Sequence, residues 1–244
     1  MKQYTKKYGQ VLLKDRNVGE LEVKFLNIPS GSSVLEIGPG TGFLTGIMLS
    51  HGLNVTAIES DHRFVGVLDA NFREYIAQGK LKIIHANFLE IDLGEIDHRF
   101  IVGNIPYSIS SPIMERLMNL DFDRALFMVQ LEFAKRMVAT AGTKDYSRLS
   151  VFCGLNFNVR LEKKVSRNSF SPVPGVDSAI VSITKKIRND SIPWEYADGF
   201  IKEMFSRKRK KIGLEYGGEK YADQRIDQLS SEQIWEIISY LYHH

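Results

Sequence analysis

The sequence predicts an α/β fold: a mostly parallel twisted sheet wrapped by helices, followed by a small C-terminal helical domain. Three observations predict it. Between residues 33 and 130, short apolar runs alternate with longer amphipathic stretches. A glycine-rich turn, Gly38-Pro39-Gly40-Thr41-Gly42, directly follows the first of those runs. Near residue 188 the alternation stops at a polar break, Arg188-Asn189-Asp190-Ser191-Ile192-Pro193. Strands that alternate with helices build parallel β-α-β units, and their sheet is covered on both faces.

The elements follow in order. Val34–Ile37, Val55–Ile58, Leu81–Ile84, Phe100–Val102 and Leu126–Val129 read as buried strands, because each is a short apolar run with turn signals close by. Phe43–Leu49 and His62–Gln78 have helical length and spacing, and the run from Asp177 to Lys186 reads as a last strand. Beyond the break, Trp194–Ile212 and Ser231–Leu241 read as helices. Length allows this plan, since 244 residues suffice for one full α/β domain and a short appendage.

Composition narrows the class. The chain is 43% hydrophobic and 25% charged, which is the balance of a folded globular protein and excludes extended disorder. No apolar run approaches the roughly 18–20 residues of a membrane span, and Met1–Lys7 lacks a signal-peptide core. The single Cys153 has no internal disulfide partner and lies among Val151, Phe152 and Leu155, so it is expected as buried filler in a reducing, cytoplasmic setting. The six histidines show no metal-ligand spacing with Cys, Asp or Glu, and no metal is predicted. The net charge is only +3, but its distribution is uneven. Lys2, Lys6, Lys7, Lys14 and Arg16 crowd the N-terminal arm, and Arg207-Lys208-Arg209-Lys210-Lys211 is an unbroken basic run. Such clusters on a balanced chain suit phosphate contacts, although a solvated helix face would look the same.

Three strand ends carry a cofactor signal. Glu36-Ile37-Gly38-Pro39-Gly40-Thr41-Gly42 has the spacing G-x-G-x-G; a dinucleotide site would read G-x-G-x-x-G, and Phe43 stands at that third position. Closely spaced glycines let the backbone turn tightly and approach a ligand beyond the carboxyl ends of the strands. Glu59 ends the second strand about twenty residues later, where a carboxylate can accept both hydroxyls of a ribose. Asn87, after the third strand, has an amide that can pair with an adenine edge. These features point to a nucleoside cofactor of the methyl-donating kind.

The fourth strand leads into Gly103-Asn104-Ile105-Pro106-Tyr107, the most specific run in the chain. An exocyclic amine conjugated with its ring is a poor nucleophile. Two acceptors, the Asn104 side-chain oxygen and the Ile105 carbonyl, can hold its protons and leave its lone pair aimed at a methyl group. Pro106 fixes the backbone that presents the Ile105 carbonyl. Tyr107 offers a face for a base drawn out of its stack, and stacking returns roughly 1–3 kcal/mol against the few that flipping costs.

In these motifs the chain resembles the ribosomal RNA adenine N6-dimethyltransferase family, with its bacterial (KsgA), archaeal and eukaryotic branches. The resemblance spans roughly Lys7 to Ile212. It rests on Gly9–Asp15, Glu36–Gly42, Asn104–Pro112, Gln130–Ala134, Tyr146–Val151 and Phe170–Ser178 in that order. It implies a Rossmann-like class I methyltransferase domain over 1–187, with 1–30 as arm and first helix, and a helical RNA-contacting domain over 188–244. It implies S-adenosylmethionine as cofactor, touched by Gln10, Val11 and Leu13, with Gly38 and Gly40 facing its methionine part, Glu59 its ribose, Asn87 its adenine, and Asn104 both cofactor and target amine. Phe170 is implied as a second aromatic wall opposite Tyr107. Lys6, Lys7 and residues 207–211 would hold RNA backbone. The implied substrate is a pair of adjacent adenosines in the 3′-terminal hairpin of small-subunit rRNA, dimethylated by a monomer, within an assembling subunit and away from any membrane. Two positions depart from the family: Asn87 stands where an Asp is usual, and Ser60 where an apolar residue usually packs on the adenine ring. Both suggest looser cofactor binding. Two rivals stand beside this reading. The macrolide-resistance group shares several motifs and modifies large-subunit rRNA, but Tyr146–Val151 favours the small-subunit group. A ribosome-assembly factor that binds more than it catalyses is the other, and intact Asn104, Tyr107 and Phe170 weigh against it.

Overall fold

A computed structural model describes residues 11–187 and 192–244. Gln10, Lys6 and Lys7 therefore lie outside the described residues. Among the described residues, nine strands run in chain order: β1 Leu12–Leu13, β2 Ser33–Ile37, β3 Asn54–Glu59, β4 Leu81–His85, β5 Phe100–Asn104, β6 Arg124–Gln130, β7 Phe157–Val165, β8 Phe170–Ser171 and β9 Ser178–Lys185. The helices are α1 Arg16–Leu26, α2 Phe43–Ser50, α3 His62–Asn71, α4 Arg73–Ala77, α5 Ser110–Met118, α6 Leu131–Val138, α7 Arg148–Asn156, α8 Trp194–Ser206, α9 Leu214–Tyr221 and α10 Ser231–His243.

The main sheet has the order β4-β3-β2-β5-β6-β9-β7. β4 to β6 pair in parallel, and β9 runs antiparallel to β6 with Gln130 opposite Ser178. The chain steps outward from β2 on both sides, so the crevice at the carboxyl ends of β2 and β5 is the switch point where open α/β sheets take their ligands. The glycine loop and Asn104 end or follow the two strands that flank it, and Glu59 and Asn87 end or follow β3 and β4 on one side. The parallel strands are apolar along their length because both faces are covered; Leu35, Ile101 and Leu126 are almost fully buried. Burying one such side chain contributes about 1.5–3 kcal/mol.

The chain divides into two compact units, one made of residues 1–131 and 160–185, the other of 132–159 and 186–244. Helices α6 and α7, placed by the sequence with the sheet domain ending at 187, belong to the second unit. The reason is packing: Tyr146, Val151 and Leu155 share a core with Ile201, Ile234, Ile237 and Ile238. The Tyr146 hydroxyl donates to the Leu229 carbonyl at 2.9 Å within it.

Three local readings need correction. The stretch His62–Gln78 is two helices, since Phe72 has φ −121° and ψ 24° and leaves the helical path. α8 ends at Ser206, so the basic run lies in a turn and an isolated bridge instead of completing a helix to Ile212. β7 and α9 have no counterpart in the sequence reading. β7, Phe-Asn-Val-Arg-Leu-Glu-Lys-Lys-Val, is an edge strand whose charges offer no apolar run to notice.

α1 shows how locally the chain is specified. Asp15 caps its start by accepting from the Asn17 amide at 3.1 Å, and Asn27 closes its end in the left-handed region at φ 51°. Val18, Glu22 and Leu26 form its buried row at a spacing of four. A carboxylic acid stands in the middle of that row.

Candidate active site

All the strand-end residues sit in the first unit. Gly38 and Gly40 adopt φ +65° and +58°, conformations that glycine tolerates without strain. The Gly38 amide donates to the Ile58 carbonyl at 2.9 Å, which pins the loop to β3. The space beside Gly38 is open, whereas a Cβ on Gly40 would stand 3.2 Å from Leu12 Cδ2. Leu12 belongs to β1, which pairs with β8 through Leu12–Ser171 and Leu13–Phe170. So β1 lies against the glycine loop. Val11 and Leu13 pack into the main core nearby; Leu12, not singled out in the sequence, makes the closest approach.

Glu59 is buried at the end of β3. Its Oε2 accepts from the Gly40 amide at 3.0 Å and its Oε1 from the Asp61 amide at 2.8 Å. Burial pushes its carboxyl above the ordinary range, and the amides of Asp61 and Gly40 oppose that. Ser60, next in the chain, is exposed, and its carbonyl pairs with the His85 ring at 3.2 Å. Glu36 faces inward: Thr45 Oγ1 donates to its Oε2 at 2.6 Å, and burial raises its carboxyl to about 7. Its observed role is to tie β2 to α2.

Asn87 is exposed after β4. Its side-chain oxygen accepts from the Leu89 amide at 3.0 Å and its amide nitrogen donates to Glu90 at 2.8 Å. The side chain thus shapes its own turn. Arg116 of α5 clamps the same loop, donating to the Leu89 carbonyl at 2.6 Å and to the Ile91 carbonyl, with its guanidinium 5.0 Å from the Phe88 ring centroid. Nothing in the sequence reading pointed to Arg116, because an arginine on an amphipathic helix looks like a solvated one.

Asn104 ends β5, and its Oδ1 is buried without a hydrogen-bond partner among the described residues. An unsatisfied buried acceptor costs about 1–3 kcal/mol, so an orphan here is a place for an incoming donor. The Ile105 amide bonds the Met128 carbonyl at 3.0 Å, holding the start of the turn to the sheet. Pro106 has φ −55°, and Tyr107 opens a short 3-10 turn. Tyr107 is 36% exposed, and its hydroxyl pairs with Ser178 Oγ at 2.9 Å. That bond anchors the hydroxyl end of a side chain that is otherwise partly exposed. Phe170 differs from the expectation of a second open wall. Only 3% of it is exposed, and it packs in the main core with Leu13. The peptide before Pro172 is cis.

The basic run belongs to the helical unit and is only partly free. Arg207 sits over the Tyr216 ring at 4.9 Å and reaches Glu203 at 3.7 Å, while Lys211 pairs with Asp223 at 2.7 Å. Lys208, Arg209 and Lys210 are exposed.

A seven-stranded sheet of this order, a glycine loop and carboxylate at neighbouring strand ends, and an orphan Asn acceptor beside an exposed aromatic ring define a nucleoside-cofactor methyltransferase acting on an amine. The comparisons narrow the class. Residues 1–238 match the ribosomal RNA adenine dimethylase family, and the chain belongs to that family. A ribosomal RNA small subunit methyltransferase A of Malacoplasma penetrans is 37% identical over 85% of this chain and 78% of its own. A protein of Methanococcus aeolicus with the same name, marked probable, is 42% identical over 85% of this chain and 76% of its own. Among solved structures, a dimethyladenosine transferase from Plasmodium falciparum superposes with a TM-score of 0.81 at 26% identity, covering 95% of this chain and 98% of that one. The 23S rRNA methyltransferase ErmE has a TM-score of 0.68 at 25% identity, covering 95% and 99%. The protein is an S-adenosylmethionine-dependent rRNA adenine methyltransferase.

Proposed function

We propose that this enzyme dimethylates N6 of adjacent adenosines in the 3′-terminal hairpin loop of small-subunit rRNA, acting as a cytoplasmic monomer on an assembling subunit. The orphan acceptor at Asn104 carries the reading. S-adenosylmethionine supplies an electrophilic methyl group on a sulfonium centre. The residues present suit it: the open face at Gly38, the Glu59 carboxylate for hydroxyls, and Leu12 with Val11 and Leu13 as an apolar cover, with Gln10 proposed beside them from the resemblance. Asn87 and Ser60 are proposed at the adenine end, and Glu36 as support for the loop.

Asn104 Oδ1 and the Ile105 carbonyl accept the two protons of the target amine and keep its lone pair off the ring. Pro106 makes that pair rigid. Tyr107 stacks on the extruded adenine, held by Ser178. Phe170 backs the site through its packing with Leu13, and serves as a wall only where its ring is uncovered. No strong general base is required, because the product ammonium is acidic; positioning and preorganised acceptors supply the rate. Lys208, Arg209 and Lys210, with Lys6, Lys7, Arg207 and Lys211 in lesser or undescribed roles, hold RNA phosphates.

The small-subunit target is favoured over the large-subunit one by the relatives' names and by Tyr146–Val151, which in this structure builds the core of the helical unit. The test is tritiated methyl transfer onto small subunits that lack the modification, followed by nucleoside analysis. Dimethyladenosine at the hairpin is expected. Asn104→Ala should lower the rate by about 10²–10³, the usual effect of removing one preorganised polar group. Normal transfer by that variant would defeat the assignment.

A further inference from the structure

The chain from 86 to 99, between β4 and β5, has no strand or helix of its own. It carries Asn87, the residue proposed at the adenine end of the methyl donor. The side-chain bonds of Asn87, Asp92 and His98 all close within it. Arg116 reaches it from another element. One terminal nitrogen of the guanidinium donates to the Leu89 carbonyl at 2.6 Å, the other donates to the Ile91 carbonyl, and the group lies 5.0 Å from the Phe88 ring centroid. One side chain thus holds three residues of the loop. A planar fork that grips two carbonyls fixes their direction as well as their position, which a lysine or an apolar contact does not.

Stability alone accounts poorly for this arginine. Its Nε is buried with no hydrogen-bond partner among the described residues, which is a cost. Leu89 and Ile91 are only half-buried, so water can satisfy their carbonyls in its place. The place of Arg116 in the chain supplies a reason. α5 begins at Ser110, directly after the turn that carries Pro106 and Tyr107, and Ile113, Met114 and Leu117 bury one side of it. Arg116 stands six residues further, about 9 Å along the same helix. A single rigid element therefore runs from the turn proposed to meet the target base to the loop proposed to meet the donor.

We propose that Arg116 is a positioning residue for the methyl donor: its fork holds the loop after β4 so that the loop reads the adenine edge, at a fixed distance from the catalytic turn. The inference rests on the reading that puts Asn87 at the adenine. Without the fork, Asn87 shifts with the turn it bonds, and the site loses its grip on the exocyclic amine of the cofactor. A site built to hydrogen-bond a group rejects the analogue that lacks it, so base discrimination reports the position of the loop.

The test compares S-adenosylhomocysteine with S-inosylhomocysteine, in which an oxygen replaces that amine, by isothermal titration on the whole chain. The wild type should prefer the adenine compound by about tenfold or more. Arg116→Met, which keeps length and removes every donor, should reduce that preference to about threefold or less. It should raise KM for S-adenosylmethionine by about tenfold and leave kcat at saturating donor within twofold. Arg116→Lys, which keeps the charge and one donor at a time, should lie between. A preference and KM unchanged in Arg116→Met, or a loss of kcat with the preference intact, would overturn the proposal. Should Arg116→Met fail to fold, Arg116→Gln repeats the comparison. If Asn87→Ala weakens donor binding while Arg116→Met does not, this inference alone fails; if the wild type shows no base preference and Asn87→Ala binds normally, the reading beneath it fails.

Discussion

At the scale of residues, three buried glutamates give the first unit an unusual pH response. Glu22 and Glu36 are raised to about 8 and about 7, and Glu59 is raised as well, in each case mainly by burial. In the unfolded chain these groups titrate near 4.5. Between about 4.5 and 8 the folded protein therefore binds more protons than the unfolded one, and stability falls as pH rises. Each displaced group tilts the curve by up to about 1.4 kcal/mol per pH unit within its own window. Asp61 and Asp177 act oppositely. Arg63 holds Asp61 near 2 and Lys164 holds Asp177 near 2, so their contribution is present above the normal carboxylate range and lost only as pH falls toward 2. Thermal melts should show Tm declining from pH 5 to pH 8, with a shallower decline in Glu22→Gln. A Tm that climbs across that interval would show that these acids ionise normally.

Elements explain why particular residues cannot change. Gly103 lies in β5 one residue before Asn104, and a Cβ there would stand 2.8 Å from the Ile37 carbonyl oxygen of β2 and 2.8 Å from Ile105 Cδ1. The backbone oxygen cannot swing aside as a side chain could. Gly103→Ala should destabilise the fold by roughly 1–3 kcal/mol, the usual effect of overpacking, and should also displace Asn104. Chemical denaturation measures the first and methyl transfer the second; a variant unchanged in both would mean the two strands can part freely. The turn after α8 makes a different prediction. Four of its five cations are exposed, but Lys211 is paired with Asp223 and Arg207 is half-buried over Tyr216, which leaves Lys208, Arg209 and Lys210. Reversing Lys208, Arg209 and Lys210 to Glu should weaken RNA binding and reduce its salt slope by about 2–3, since each phosphate contact carries slightly less than one unit. An unchanged slope would move the RNA contact elsewhere.

At the scale of the whole molecule, the helical unit has its own core and an independent share of stability. Ile234 and Ile238 are fully buried there. Ile234→Ala should destabilise that unit by about 2–5 kcal/mol. With two units the melt need not be a single transition, so separate probes in each are the appropriate measurement.

Much of this was written in the sequence, for identifiable reasons. Parallel strands are buried on both faces, so β2 to β6 appear as apolar runs and their order fixes where the glycine loop, Glu59 and Asn104 emerge. The switch-point geometry follows from connectivity alone. Tertiary structure decided the rest. Only packing shows that α6 and α7 join the helical core, that Phe170 is covered, that Asn87 bonds its own turn, and that Leu12 touches the glycine loop. Glu22 is the sharpest case. Its spacing from Val18 and Leu26 places it on a buried face, but only the packed fold shows a carboxyl enclosed there with neither oxygen hydrogen-bonded among the described residues.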